Sequence, residues 1–488
     1  MHSIDFIVFL AFTIGIVAFG CSFFRKDGSA DEFTSAGHSV PGWVVGMSIF
    51  ATYVSSISYI GYPGKAFAAD WNAFVFSLSI PIASFFAAKY FVPFYRKRGS
   101  VSAYTFLEEK FGPWARFYAS ACYLLTQIAR MGSILYLLAV PMYILMGWNI
   151  YVVIILTSAA IILYSMMGGL KAVIWADAMQ GIILIGGAVL CLAILLFKMP
   201  EGPMQAFSLA VDSPSGNKFS LGAFSADLTK STFWVCLIYG IFINLQNYGI
   251  DQNYVQRYHA AKTNRQARFS ALFGGYLFIP VSALFFLIGT VLYSYYTANP
   301  LLLPAAMTAR PDYVFPYFIV SELPVGLRGL LIASIFAAGM STVSTSVNSA
   351  ATIVLTDYFK PFFPQATDRH HLAVLRISSV VVGLLGIIVA IAMLSVESII
   401  DAWWNLSSIF SGGMLGLFLL GCIPKKINRQ AAIIGCVCGV AVIGWISLAD
   451  ICDLPGIHLH KYLAIVLGTS AIFLIGFFAT AIMKSRTN

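Results

Sequence analysis

The apolar residues of this chain are gathered into runs of about twenty, each long enough for a helix to cross a bilayer, and the runs recur from one end to the other. Cutting at the polar breaks predicts about thirteen spans, over residues 4–24, 40–61, 72–95, 117–147, 149–167, 173–197, 232–256, 270–292, 326–356, 374–395, 400–423, 431–449 and 462–483. Backbone groups in lipid must satisfy one another, so these runs imply an all-α, polytopic membrane protein. Composition agrees, with 59% hydrophobic and 10% charged residues. The first run follows Asp5 and not a basic segment, which marks it as a retained helix and not a signal peptide.

Lysine and arginine set the orientation. With the N-terminus outside, 20 of the 29 basic residues face the cytoplasm, including Arg25, Lys26, Arg96, Arg116, Lys171, Arg257, Lys425 and Lys426; seven face outside, and Lys89 and Arg130 lie within spans. The net charge of +9 is therefore read as membrane topology, with no nucleic-acid partner. The expected location is a cell membrane, inner or plasma, with multiple passes, the N-terminus outside and the C-terminus cytoplasmic. The lipid bilayer is the implied partner, and no obligatory protein partner is inferred. No GxxxxGK[ST] nucleotide cradle is present, which disfavours a primary pump. The eight cysteines lack a CxxC pair, and no His, Cys or carboxylate cluster supports an enzyme.

Two spans are chemically interrupted. One is SIFATYVSSISYIGYPGKAF (48–67), crowded with Ser55, Ser56, Ser58 and Gly61; the other is IFINLQNYGIDQNYVQRY (241–258), with Asn244, Gln246, Asn247, Gly249 and Asp251. With the initial helix set aside, these are spans one and six, each opening a five-helix half. Broken helices at matching places of two halves point to an inverted-repeat transporter with its sites at the bilayer midplane. The whole chain, 1–488, reads as one transporter domain: an extra N-terminal helix over 4–24, repeat one over 40–197, repeat two over 232–423 and C-terminal helices over 431–483. The loops at 199–230 and 293–325 have the Pro, Gly and Ser content to hold short helices, and 102–117 reads as an interfacial helix.

Three features carry chemistry. FAAGMSTVSTSVNS (336–349) places Ala338, Ser341, Thr342 and Thr345 on one face of a membrane helix, flanked by Ser344. Such hydroxyls coordinate a dehydrated Na⁺ without several buried charges, although Ser and Thr in membrane helices also simply bond back to their own carbonyls. Arg130 lies 14 residues past Arg116, about 21 Å along a helix, near mid-membrane. No protein acid is expected at that depth, which makes an anionic substrate the economical candidate for its partner, a structural role being the alternative. Asp177 lies about 9 Å past Lys171, too far from Arg130 to pair with it, and invites a cation beside the hydroxyl face.

On FATYVSSIS, YPGKAF, MGGLKAVIWADAMQG, YGIDQNYVQRY and FAAGMSTVSTSVNS, the chain resembles the sodium/solute symporter family over nearly its whole length. The resemblance implies the LeuT-type inverted-repeat fold, five plus five helices, with Na⁺ as coupling ion. Within the family the likeness to bacterial sialic acid symporters implies a main sodium site at Ala51, Val54, Ala338, Ser341 and Thr342. It implies a second at Asp177, Ser341, Ser344 and Thr345, and a substrate carboxylate held by Arg130 with Ser55 and Ser58. Tyr53, Ala73 and Ser77 depart from the sugar pocket of those transporters, so Tyr53 and Ser77 are carried as candidate wall residues. The expected function is Na⁺-driven import of a carboxylated sugar such as sialic acid by alternating access. A neutral sugar, a polyol or a small monocarboxylate is the rival within the family. The different-class rival is a non-transporting receptor with the same fold.

Overall fold

Among the described residues, eleven helices are long and apolar enough to cross a membrane, and a twelfth crosses in two pieces bent by 57°. The computed structural model describes residues 2–23, 29–308, 310–396, 399–424, 427–448 and 459–485; Arg25, Lys26, Lys425 and Lys426 lie outside these. In chain order the membrane helices are α1 (Ser3–Cys21), the broken pair α2 (Gly42–Tyr53) and α3 (Ile57–Ala68), α4 (Asn72–Arg98), α5 (Pro113–Met146) and α6 (Ile150–Phe197). They continue with α7 (Phe233–Ile250), α8 (Gln252–Ala260), α9 (Asn264–Ala298), α10 (Leu327–Phe362) and α11 (Asp368–Ser395). Then follow α12 (Ile399–Cys422), α13 (Arg429–Leu448) and α14 (Leu463–Ser485).

At 48 residues α6 would be about 72 Å long if straight, more than twice the hydrocarbon thickness. It breaks at Gly169 (φ 57°, ψ −160°), where a Cβ would meet the Cα of Phe33 at 2.9 Å. Only glycine takes that backbone so close to a neighbour. Splitting α6 there brings the crossings to the thirteen expected.

Both predicted interruptions are present. Val54 ends α2 in extended backbone (φ −83°, ψ 109°), and Ser55 Oγ accepts from the Ile57 amide at 3.2 Å. Asp251 separates α7 from α8 in the same way (φ −77°, ψ 125°), its Oδ1 accepting from the Asn253 amide at 2.8 Å as an N-cap. Side-chain acceptors thus replace the helical bonds lost at each break, as backbone at membrane depth requires. Short helices occupy the two long loops, including Pro203–Val211 and Pro311–Glu322. The stretch 102–117 is not one helix: Thr105–Phe111 stops at Gly112 (φ 94°), and α5 starts at Pro113.

The hydroxyl-bearing α10 lies at the centre, packed by α1, α2, α5, α6 and α11. Its small residues let these neighbours approach closely; at Gly339 a Cβ would overlap Leu138. Asp5 of α1 caps its start, Oδ1 accepting from the amides of Gly326 at 2.6 Å and Gly329 at 3.3 Å.

One end of the molecule is tied by ion pairs and hydrogen bonds. Arg116 binds Glu108 at 2.6 Å and Asp357 at 2.8 Å, Ser102 donates to Asp357 at 2.9 Å, and Gln252 bonds Val101 and Ala103. The other end opens into a cavity of about 610 Å³ bordered by Lys65, Asn72, Trp404, Lys461 and Tyr462. On that side Lys218 Nζ donates to the carbonyls of Phe67 and Ala69, both at 2.9 Å, closing the end of α3.

Candidate functional site

The residues expected to hold the main sodium converge where α2 breaks. Ser341 Oγ lies 3.0 Å from the carbonyl oxygens of both Ala51 and Ala338, and Thr342 Oγ1 lies 3.2 Å from that of Ala338. All four residues are buried, and Val54 stands at the break itself. Back-bonding of these hydroxyls is therefore real, but it does not oppose a cation role. A hydroxyl that gives its proton to a carbonyl keeps its lone pairs, which are the atoms a cation needs. The donor set is neutral oxygen throughout, which suits a hard monovalent ion.

The next carbonyl along the chain serves the other candidate site. Thr52 O accepts from Arg130 Nη2 at 2.6 Å. The guanidinium carbon also lies 5.9 Å from the centre of the Trp403 ring. Around it is a cavity of about 50 Å³ lined by Tyr53, Ser55, Ser58, Tyr62, Thr126, Gln127, Asn247, Asp251, Trp403 and Trp404. Trp404 also borders the larger open cavity, so it stands between the two.

Of the expected substrate residues, Arg130, Tyr53, Ser55 and Ser58 line this cavity and Ser77 does not. Ser77 Oγ is 2.7 Å from Ser282 Oγ, and the Tyr62 hydroxyl interacts with both Ser58 and Ser77. Ser77 is thus behind the wall. Tyr53 is fixed by Asn247, which donates to its hydroxyl at 3.0 Å, and by rings from Tyr248, Tyr254 and Phe278.

Two readings of charge are corrected. Asp251 borders the same cavity as Arg130, so the arginine does share its depth with a protein acid. Gln127 joins the acid to the central helix: its amide faces Asp251 Oδ2 at 3.5 Å, and its carbonyl oxygen accepts from Ser346 at 2.7 Å and Asn253 at 3.1 Å. Arg257, expected in a cytoplasmic segment, is fully buried in α8 and pairs with Asp177 at 2.7 Å. The predicted span 232–256 stops just before Arg257, yet the side chains of this polar stretch find partners inside: Gln256 donates to Thr34 O and Thr352 Oγ1, both at 2.8 Å. A polar helix is stable in an interior when its groups are satisfied.

The second sodium set is partly assembled. Thr345 Oγ1 is 3.4 Å from Asp177 Oδ2, and Ser344 Oγ bonds the Ser341 carbonyl at 3.0 Å. Ser48 donates to Asp177 Oδ2 at 2.6 Å. Sequence reasoning missed Ser48, Gln127, Thr126, Trp403, Trp404 and the role of Arg257. Only Asn247 and Asp251 carried a signal, as polar residues in an interrupted span.

The sequence profile of the sodium:solute symporter family matches residues 33–439. The chain is 31% identical to the sodium/sialic acid symporter NanT of Aliivibrio fischeri, over 100% of this chain and 94% of that protein. It is 33% identical to the sodium/sialic acid symporter SiaT of Proteus mirabilis, over 90% and 88%, and 27% identical to human sodium-coupled monocarboxylate transporter 2, over 91% and 72%. The structure of a Na⁺-coupled sialic acid symporter in a substrate-bound outward-open state superposes with a TM-score of 0.90 at 30% identity, covering 98% of each chain. The nucleobase-cation symporter Mhp1 shares the fold at a TM-score of 0.61 and 13% identity.

Proposed function

We propose that this chain, which belongs to the sodium:solute symporter family and has its LeuT-type fold, imports sialic acid together with Na⁺ by alternating access. The observation that carries the reading is the use of consecutive carbonyls. Ala51 O belongs to the cation cradle and Thr52 O holds Arg130. An ion that orders Ala51 also orders the peptide group that aims the guanidinium, so part of the ordering cost of the anion site is met by Na⁺. The charge of the ion further favours a carboxylate in a poorly polarisable interior.

Arg130 would hold the carboxylate, with Ser55 and Ser58 donating to its oxygens. Asp251, Asn247 and Gln127 would receive and direct the hydroxyls of a sugar acid. Ala51, Val54, Ala338, Ser341 and Thr342 form the main sodium site, and Asp177, Ser341, Ser344 and Thr345 the second. The end tied by Arg116 would face the cytoplasm and the cavity beyond Trp404 the outside, with the N-terminus outside, a reading that the lysine and arginine bias supports. The halves 40–197 and 232–423 are taken as the two repeats because each begins with a broken span. Each Na⁺ entering across 100 mV contributes about 2.3 kcal/mol to the drive.

A second reading, uptake of a small monocarboxylate, is favoured by the size of the cavity: 50 Å³ has room for about three or four waters. A nine-carbon sugar acid requires Trp404 or its neighbours to move aside. Thermal melting of the purified protein in Na⁺, against sialic acids, neutral sugars and short carboxylates, separates these, because a ligand of the native state raises the melting temperature. Stabilisation by sialic acid in Na⁺ but not in K⁺ is expected. Stabilisation by short carboxylates alone selects the second reading.

A further inference from the structure

Arg257 makes four hydrogen bonds in a fully buried setting. Its Nε donates to Ser48 Oγ at 2.7 Å, Nη1 to the Asn253 carbonyl at 2.8 Å, and Nη2 to both Asp177 Oδ2 at 2.7 Å and Thr345 Oγ1 at 2.6 Å. Asp177 and Thr345 are two of the four residues in the second sodium set. A tethered cation therefore already binds half of that set. The second oxygen of the same carboxylate, Asp177 Oδ1, is buried with no hydrogen-bond partner among the described residues. An orphaned carboxylate oxygen in an interior calls for a cation.

We propose that Arg257 is a built-in competitor of Na⁺ at this place, sharing Asp177 with the ion and contesting Thr345. The proposal rests on the reading of Asp177, Ser344 and Thr345 as a second sodium site. One hydroxyl oxygen cannot serve a guanidinium at 2.6 Å and a bare sodium ion without bringing two positive charges within a few Å of each other, where the interior screens them poorly. Entry of the second ion therefore loosens Nη2 from Thr345. The Nε of the same guanidinium holds Ser48 of α2, the helix that carries Ala51 and Thr52, and Ser48 also donates to Asp177, so a shift of the guanidinium alters the contact of α2 with α6. The second Na⁺ binds more weakly than the first, and its binding is linked to movement of the broken helix.

Equilibrium binding of ²²Na⁺ to purified wild type, Arg257→Gln, Asp177→Asn and the double variant tests this. Arg257→Gln removes the competing charge and leaves Asp177 in need of one, so the second site should tighten about tenfold or more. Its melting temperature should fall in Na⁺-free buffer and recover with NaCl but not KCl. Asp177→Asn and the double variant should bind one ion. If Asp177→Asn still binds two ions, the second-site reading fails, and with it the proposal's premise. If Asp177→Asn loses the weak site but Arg257→Gln binds it with wild-type affinity, Arg257 is a structural pair only and the proposal is overturned. Should Arg257→Gln not fold, Arg257→Lys keeps the charge, but one ammonium cannot reach Asp177, Thr345, Ser48 and Asn253 together. A several-fold tightening supports the proposal, and an unchanged second affinity overturns it.

Discussion

Ala51 and Thr52 put neighbouring carbonyls to different uses: the first accepts from Ser341 Oγ at 3.0 Å in the proposed cation cradle, and the second accepts from Arg130 at 2.6 Å. No side chain is needed to connect the two sites. The single peptide unit between them would do so, in the last turn of α2 before the break at Val54.

The cradle predicts a specific loss. Thr342→Ala removes one coordinating oxygen while leaving Ala51, Ala338 and Ser341 in place, and should raise the Na⁺ concentration for half-maximal uptake by about tenfold, a typical effect of one lost polar contact. A Na⁺ titration of uptake by folded variant checks this. An unchanged midpoint removes Thr342 from the site.

Arg130→Ala separates the substrate from the ion. Loss of a buried charge-assisted pair costs about 2–5 kcal/mol, so affinity for a carboxylated substrate should fall by more than about thirtyfold. Stabilisation by Na⁺ alone should persist, because the guanidinium bonds Thr52 and not the cradle oxygens. Calorimetric titration of substrate beside Na⁺-dependent melting reads both. A variant that loses Na⁺ stabilisation as well marks Arg130 as a support for α2.

The proposed substrate site predicts that Asp251 sets selectivity. Asp251→Asn preserves the cap on α8, since Asn caps a helix about as well as Asp, while removing the negative charge beside Arg130. Short monocarboxylates should bind several-fold more tightly, and sugar acids should gain less or lose affinity, because a carboxylate is a stronger acceptor for their hydroxyls. Competition assays with the two ligand classes measure the ratio. An unchanged ratio places Asp251 outside the selectivity filter.

The extra N-terminal helix has a measurable task. Asp5→Ala removes the acceptor for the Gly326 and Gly329 amides at the head of α10 and should destabilise the fold by about 1–2 kcal/mol. Melting temperature should drop while the Na⁺ midpoint stays put. A shifted midpoint with unchanged melting would assign Asp5 to the transport cycle.

The crossings, the two breaks and the hydroxyl face of α10 were legible because lipid imposes a strong local code: length, apolarity and misplaced polar residues each have one physical meaning there. The interior of α8 was not. Gln252 and Gln256 fall within the predicted span, but Arg257 reads as cytoplasmic because its partner Asp177 lies far away in sequence, as do Val101 and Thr34, the partners of the two glutamines. Ser77 misled for the opposite reason: a polar residue in the right span was placed in the wall, but Ser282 takes its hydroxyl. Trp403 and Trp404 carried no signal at all, since an aromatic pair in an apolar span looks the same whether it faces lipid or a ligand.

The most direct measurement is uptake of radiolabelled sialic acid into proteoliposomes, with an inward Na⁺ gradient compared with an equal K⁺ gradient, in wild type and Arg130→Ala. Concentrative uptake in wild type only under the Na⁺ gradient, and none in Arg130→Ala, is the predicted result. Uptake that is equal in K⁺, or that survives in Arg130→Ala, would contradict the account.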